Sequence, residues 1–250
     1  MNRIGRLRLA VLVGAVLLLE LLCRTAVIDP LAMIPPSAMA TALWDLLRSG
    51  KITADLVKTL RNVATAMVLS ILAGFALGVA LHAWPRLRRA LDPFFATYYA
   101  VPFFVFYPLL ILIFGLNDLP IVLIGFMFAV VAMIVNTLNG LDRIPRVLLK
   151  VARVHRMNRL DRAWSLELPA AAPYLFTGVK LAVAYSFIGV IASEFILSGA
   201  GLGYAIAFAY NNFDNRTMYG LMLFIVTLVT AINVVLHVWE RRLLDRRRRA

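Results

Sequence analysis

Long apolar runs alternate with short polar, arginine-rich segments along the whole chain. About twenty apolar residues carry an α-helix across a bilayer. Runs close to that length fall at about residues 63–84, 94–116, 120–138, 174–197 and 218–239, with a shorter one at 7–23. None shows the alternation of a barrel strand. The pattern predicts an all-α polytopic membrane protein, a single transmembrane domain over residues 1–250 with six spanning helices. Residues 29–58 do not read as a span. Pro30, Pro35 and Pro36 break them early, Ala38 to Leu47 fits a short amphipathic helix lying at the interface, and Gly50 ends it. Gly115 to Leu119 and Ser198 to Thr217 read as further loops on the same side.

The cations set an orientation, because basic residues concentrate in cytoplasmic segments. One set of span ends carries Arg3, Arg6, Arg8, Arg86, Arg88, Arg89, the group Arg143, Arg146, Lys150, Arg153, Arg156, Arg159 and Arg162, and finally Arg241, Arg242 and Arg246 to Arg249. The other set has Arg24, Arg48, Lys51, Lys58, Arg61 and Arg216. Nineteen basic residues face six, with Lys180 at a boundary, which predicts both termini and the two long basic segments on the cytoplasmic side. The first run, with three arginines ahead of Leu9 to Leu22, has the outline of a signal peptide. Glu20 and Arg24 follow at once with no small-x-small cleavage site, so an uncleaved first span is the expectation.

Composition narrows the classes. Hydrophobic residues make up 62% of the 250, against a little under half in soluble domains, so the bilayer is the expected solvent. The net charge of +13 invites a nucleic-acid reading. Such proteins carry basic patches with stacking aromatics on a soluble fold, whereas here the cations flank membrane-length runs. The single cysteine, Cys23, can form neither an internal disulfide nor a cysteine-rich metal site. His82, His155 and His237 are far apart and lack zinc-type spacing. No Ser-His, Cys-His or paired-carboxylate arrangement suggests an embedded enzyme. No phosphate-cradling GxxxxGK[ST] loop is present, so any ATP chemistry belongs to another chain.

Two spans carry packing signals. Ala66, Ser70, Gly74 and Gly78 recur every four residues, which puts small residues on one face for close helix approach. Pro102 and Pro108 interrupt the hydrogen-bond ladder of the third run and predict a kink, with or without a role in lining a pathway. Between the fourth and fifth runs, residues 141–169 are too polar to span. There Val147, Val151, Val154, Met157, Leu160 and Trp164 recur at helical spacing, with arginines on other faces. Such an amphipathic segment either lies on anionic headgroups or docks its ridge into a partner protein.

The string LELPAAAPYLFTGVKLA, Glu167 aside, resembles the cytoplasmic loop of bacterial ABC importer permeases. That family's pattern is EAA, three residues, Gly, nine residues, Ile, one residue, Leu-Pro. Aligned on Leu166, Leu168 and Pro169, the glycine position falls on Arg156 and the EAA triplet on Lys150, Val151 and Ala152, of which only Ala152 is kept. VPFFVFYPLLILIFG with Pro102, Pro108 and Gly115, then Asn136, Thr137 and Gly140, then Glu194 and SGAGLGY with Gly201 and Gly203, are similar to the sulfonate, taurine and nitrate type permeases. The resemblance implies a permease in the bacterial inner membrane that works as a homodimer or with a similar chain. It implies a coupling helix carrying Val151, Ala152, Val154, Arg156, Met157, Leu160, Leu166 and Pro169. It also implies two cytoplasmic ATPase subunits holding ATP and Mg, and a periplasmic or lipid-anchored substrate-binding protein. No cofactor is expected on this chain, and the solute would be small and polar or anionic.

Polar residues at membrane depth complete the candidates. Glu194 either faces the substrate path or an outer gate, or accepts hydrogen bonds from a neighbouring helix near the interface. Pro102, Pro108, Asn136, Gly201 and Gly203 join it as pathway or gate candidates. Asn136 and Asn139 read as caps or cross-helix bonds, and Lys180 and Glu20 as side chains that snorkel to the headgroups. The arginine tail reads as an inner-leaflet anchor on membrane lipid. The rival reading is a gradient-driven secondary transporter or channel, which would need repeats and paired broken helices; no repeat between the halves is evident.

Overall fold

In the computed structural model, residues 3–249 are described, and they form α-helices joined by short turns with no strand among them. The helices are α1 (Arg3–Arg24), α2 (Pro36–Ser49), α3 (Thr53–Ala83), α4 (Pro85–Thr97), α5 (Tyr107–Phe114), α6 (Leu119–Asp142), α7 (Arg146–Val154), α8 (Arg159–Arg162), α9 (Leu168–Leu197), α10 (Leu202–Asn211) and α11 (Asn215–Arg249). The side chains of Arg3, Arg8, Arg242 and Arg246 to Arg249 lie outside the described residues.

Four helical stretches are long and apolar enough to cross a bilayer: α3, α6, residues 159–196 with α9, and residues 215–241 of α11. The pair α4 and α5 makes a fifth if counted as one broken span. The six-helix expectation is thus reached only in part, because α1 carries too many charges for its length. The third run also departs from a merely kinked helix. Its two halves meet at 88°, with Pro102 in the break and Pro108 in the first turn of α5. Proline at either place removes no ladder bond that the helix needs. Two segments outside the runs prove helical: Ser198 to Thr217 contains α10, and α9 begins at Leu168, ahead of the fifth run's start at 174, with Pro169 and Pro173 inside it. Pro169 sits in its first turn, where proline is tolerated.

The bundle is built on α6, which packs along α3 on one side and α9 on the other. Of the most apolar stretch of α6, 67% is buried, against 6% for α11. Apolar surface gains little by leaving lipid for protein, so helices associate by close van der Waals fit. The predicted face delivers it. Ala66, Ser70, Gly74 and Gly78 are all buried, and Ser70 Oγ bonds the carbonyls of Ala66 and, across the interface, Phe126 at 3.3 Å. A Cβ on Gly74 would lie 2.6 Å from Met133 Cβ, and one on Gly78 the same distance from Thr137 Cβ. Gly125 and Gly189 bring α6 and α9 together: a Cβ on Gly189 would stand 2.8 Å from the Gly125 Cα.

The periphery is held by polar contacts near its ends. Glu20 of α1 accepts from Ser37 N at 2.9 Å, Ser37 Oγ at 2.7 Å and Arg24 Nε at 2.5 Å, so it is pinned to α2. Lys180 on α9 donates to Glu240 on α11 at 2.6 Å, an ion pair where a headgroup contact was expected. Asn136 donates to the Ala132 carbonyl of its own helix, which is neither a cap nor a cross-helix bond.

Replacing Gly74 or Gly189 by alanine is expected to lower stability by about 1–3 kcal/mol, the usual cost of overpacking. The control is Gly14→Ala, where nothing lies within 4 Å of the new methyl. Thermal unfolding of the purified protein in detergent compares the three.

Candidate functional site

Two polar clusters stand out, at opposite ends of the long helix that runs from residue 159 through α9. The first lies at the end away from the arginine-rich segments. Here α9 stops at Leu197, and the chain turns back through Ser198 to Gly201 into α10. Helix starts leave backbone N–H groups without intrahelical acceptors. In α10 three consecutive ones are taken by side chains of other helices. Gly201 N donates to Asp55 Oδ1 at 2.7 Å, Leu202 N to Thr59 Oγ1 at 2.8 Å, and Gly203 N to Glu194 Oε2 at 3.1 Å. Thr59 Oγ1 in turn donates to Glu194 Oε2 at 2.7 Å. One hydroxyl therefore accepts from α10 and donates to α9.

Glu194 is 0% exposed, and Thr59 is equally buried. A carboxylate so placed needs donors, and the positive end of a helix supplies them. The glycines make room. A Cβ on Gly201, whose φ is +110°, would fall 2.6 Å from Glu194 Oε1, and one on Gly203 would fall 2.7 Å from Glu194 Cβ. Asn62 lies beside the same carboxyl, and among the described residues its buried Nδ2 and the second oxygen, Glu194 Oε1, have no hydrogen bond of ordinary geometry. Beside this network lies a cavity of about 390 Å³ lined by Lys58, Tyr107, Asn117, Asp118 and the Ser198 to Ala200 turn. Lys58 meets Asp118 at 3.1 Å, and Arg61 pairs with the same carboxylate.

The second cluster is the basic segment. A three-residue link joins α6 to α7. On α7 the predicted amphipathic pattern is realised: Ala152 is buried, while Val147, Val151 and Val154 are exposed, Val154 at 80%. Leu160 and Trp164 continue the exposed apolar surface. Met157, Leu166 and Pro169 are half-buried. The segment is not one helix but two, since α7 ends at Val154 and a new helix starts with Asn158, whose side chain accepts from Asp161 N at 2.7 Å. Met157 N bonds Ala152 O and Arg156 N bonds Arg153 O, the closure in which the intervening residue turns left-handed. That residue is Arg156, with φ +48°. The position where the resemblance placed a glycine thus has the backbone glycine favours.

Of the predicted gate residues, Glu194, Gly201 and Gly203 come together, whereas Pro102, Pro108 and Asn136 do not join them. Asp55, Thr59 and Asn62 were missed. Their spacing of four and three puts them on one helical face, which run length hides because the second apolar run begins only at residue 63, whereas α3 already starts at Thr53.

The family described as "Binding-protein-dependent transport system inner membrane component" matches residues 66–250. The nitrate import permease protein NrtB of Leptolyngbya laminosa is 29% identical over 161 residues, 64% of this chain and 58% of that protein. The bicarbonate transport system permease protein CmpB of Synechococcus elongatus is 31% identical, covering 62% and 56% of the two chains. A probable ABC transporter permease protein of Brucella abortus is 27% identical over 82% of each chain. The matched stretch thus spans little more than half the length of the nitrate and bicarbonate relatives. Among solved structures, a chain of the MetNI methionine ABC transporter superposes with a TM-score of 0.64 at 19% identity, over 76% of this chain and 95% of that one, a likeness of fold.

Thr59→Val is expected to lower stability by about 1–3 kcal/mol, because it strands the Leu202 N–H and one carboxylate bond in a buried site. Thr59→Ser keeps the hydroxyl and should restore most of it. Equal melting temperatures for the two variants would refute the relay.

Proposed function

The chain belongs to the family of binding-protein-dependent transport system inner membrane components, and from that premise we propose that it is the permease subunit of an ATP-binding-cassette importer. In this reading it has six spans, contributed by α1, α3, the broken pair α4–α5, α6, α9 and α11. The arginine-rich ends and both termini face the cytoplasm, in keeping with the bias of basic residues. It pairs with a second permease copy or a similar chain, and a periplasmic or lipid-anchored binding protein delivers solute at the opposite end. ATP and Mg are held by two ATPase subunits, which supply the driving force. Two relatives, a nitrate import permease and a bicarbonate transport permease, support a small polar or anionic solute.

The observation that carries the proposal is the exposed apolar ridge Val147, Val151, Val154, Leu160 and Trp164, ringed by Arg146, Lys150, Arg153, Arg156 and Arg159. The ridge leaves several large apolar side chains uncovered in a polar segment, as a surface made for a partner does. Its charge ring suits an acidic rim on the ATPase. Lipid headgroups would attract the same cations. The helical break at Arg156 favours a protein groove, since a helix lying on lipid gains from an uninterrupted apolar face. The left-handed corner at the family's glycine position adds support. Movement of the ATPases would then displace α7, and the helix from residue 159 through α9 would carry it toward the Glu194 network at the periplasmic end. A helix of this length reaches roughly 55 Å at about 1.5 Å per residue. Glu194, Gly201 and Gly203 belong in this scheme to the gate. Pro102 and Pro108, where backbone groups leave the helical ladder, border the pathway.

Val154→Asp and Met157→Asp are expected to abolish solute uptake and ATPase co-purification while leaving membrane insertion intact, since a buried unpaired carboxylate costs several kcal/mol at an interface, on the order of 3–5. Pull-down of the ATPase from solubilised membranes reads this directly. Wild-type uptake by both variants, at normal expression, would sink the coupling role.

A further inference from the structure

Asp142 and Arg143, adjacent in sequence, grip opposite sides of the bundle. Asp142 is the last residue of α6. It accepts two bonds from one guanidinium, Arg88 NH1 to Oδ1 at 2.8 Å and Arg88 NH2 to Oδ2 at 2.7 Å, which ties it to α4. His82 Nδ1, at the end of α3, stands 3.3 Å from Oδ1. Arg88 is held in turn by Asp92 at 4.0 Å. The next residue, Arg143, turns the other way. Its NH1 donates to the Tyr174 hydroxyl of α9 at 3.0 Å, and its guanidinium carbon lies 5.2 Å from the centre of the same ring. Gly140 lets α6 and α9 close at this level, where a Cβ would meet those of Ala171 and Tyr174 at 3.1 Å. After Arg143 only Ile144 and Pro145 precede α7, and the proline ring fixes its own φ at −58°.

From this we infer that the Asp142–Arg143 corner is the joint that passes a displacement of α7 at once to α3 and α4 through Asp142 and to α9 through Arg143. The inference rests on the reading of α7 as the element that the ATPase moves. It makes Asp142, Arg88, Arg143 and Tyr174 positioning residues for transport.

Magnitudes separate this role from a structural one. The side chains of Arg88 and Asp142 are 28% and 37% exposed, and an ion pair so open to solvent contributes little to stability. A two-bond guanidinium–carboxylate contact nevertheless fixes orientation, where a single bond would act as a swivel. With only three residues between α6 and α7, slack at the corner would absorb a small shift of α7.

The test uses the full transporter, the chain with its co-purified ATPase in lipid vesicles. Ser198→Cys in a Cys23→Ala background places a thiol in the cavity beside the Glu194 network. Its rate of reaction with a membrane-impermeant maleimide is measured with and without ATP and vanadate, alongside ATP hydrolysis. The parent should show a nucleotide-dependent change in labelling. In Asp142→Asn, and separately in Tyr174→Leu, that change is expected to shrink by about fivefold or more, the lower range of measured couplings, while hydrolysis stays within about twofold of the parent. The exchange Arg88→Asp with Asp142→Arg should recover most of it, and Tyr174→Phe, which keeps the ring, part of it. A full nucleotide response in both Asp142→Asn and Tyr174→Leu overturns the joint. So does a loss of labelling response and hydrolysis in equal proportion without recovery by the exchange, which would mark a merely structural pair. If the parent chain retains no ATPase, the importer reading fails first, and that failure is visible before any variant is made.

Discussion

The approach of α3, α6 and α9 to backbone contact is the constraint on which the rest of the molecule depends. In lipid these helices have no solvent-driven reason to associate, so the fit itself must hold them. Gly74 and Gly78 on α3, Gly125 on α6 and Gly189 on α9 leave no space for even one added methyl. That tight core fixes the lateral and axial position of α9 relative to α3. Only then can Asp55 and Thr59 of α3 and Glu194 of α9 converge on three successive amides of α10.

The same rigidity explains the placing of the polar groups. Buried carboxylates at membrane depth are costly and survive where donors are fixed around them. Glu194 meets this condition through a helix start and a hydroxyl that bonds in both directions. Left-handed or extended positive-φ backbone, found also at Ala26, Gly50, Gly115 and Phe213, stands at both ends of the helical stretch that includes α9. Gly201 turns with φ +110° under Glu194, and Arg156 takes φ +48° at the close of α7. Between them the helical stretch runs from Arg159 to Ile196, through a π-helical turn at Ala163–Glu167 and with Pro173 inside α9.

The elements around the core are fastened differently. α11 is little buried and is held by contacts toward its two ends, Arg216 with Asp45 and the Tyr219 hydroxyl on Ala32 at one end, Lys180 with Glu240 at the other. Between them α9, α10 and α11 line an apolar cavity of about 550 Å³. The middle of α11, through Leu228, Val229, Ile232 and Leu236, packs half-buried against the apolar cluster that α3, α6 and α9 share. The broken pair α4–α5 lies outside the close α3–α6–α9 contact, attached through aromatic packing of Tyr98 and Phe103 and the Tyr98 hydroxyl on the Met127 carbonyl.

Much of this was legible in one dimension. Run length and composition determine that the chain is helical and lives in a bilayer, because the hydrophobic thickness and the need to satisfy every backbone group admit little else. The four-residue repeat of small residues determined the packing face of α3, and the valine spacing determined the exposed ridge of α7, since both depend only on the helical period. Tertiary structure decided what depends on distance between segments far apart in sequence. It paired Glu194 with Thr59, 135 positions away, turned Lys180 from a snorkelling side chain into half of an ion pair, and broke the third run at Pro102 through nearly a right angle. A periodic pattern specifies which side of a helix is apolar; it carries no record of which helix will stand opposite, and a buried polar group takes its partner from that neighbour alone.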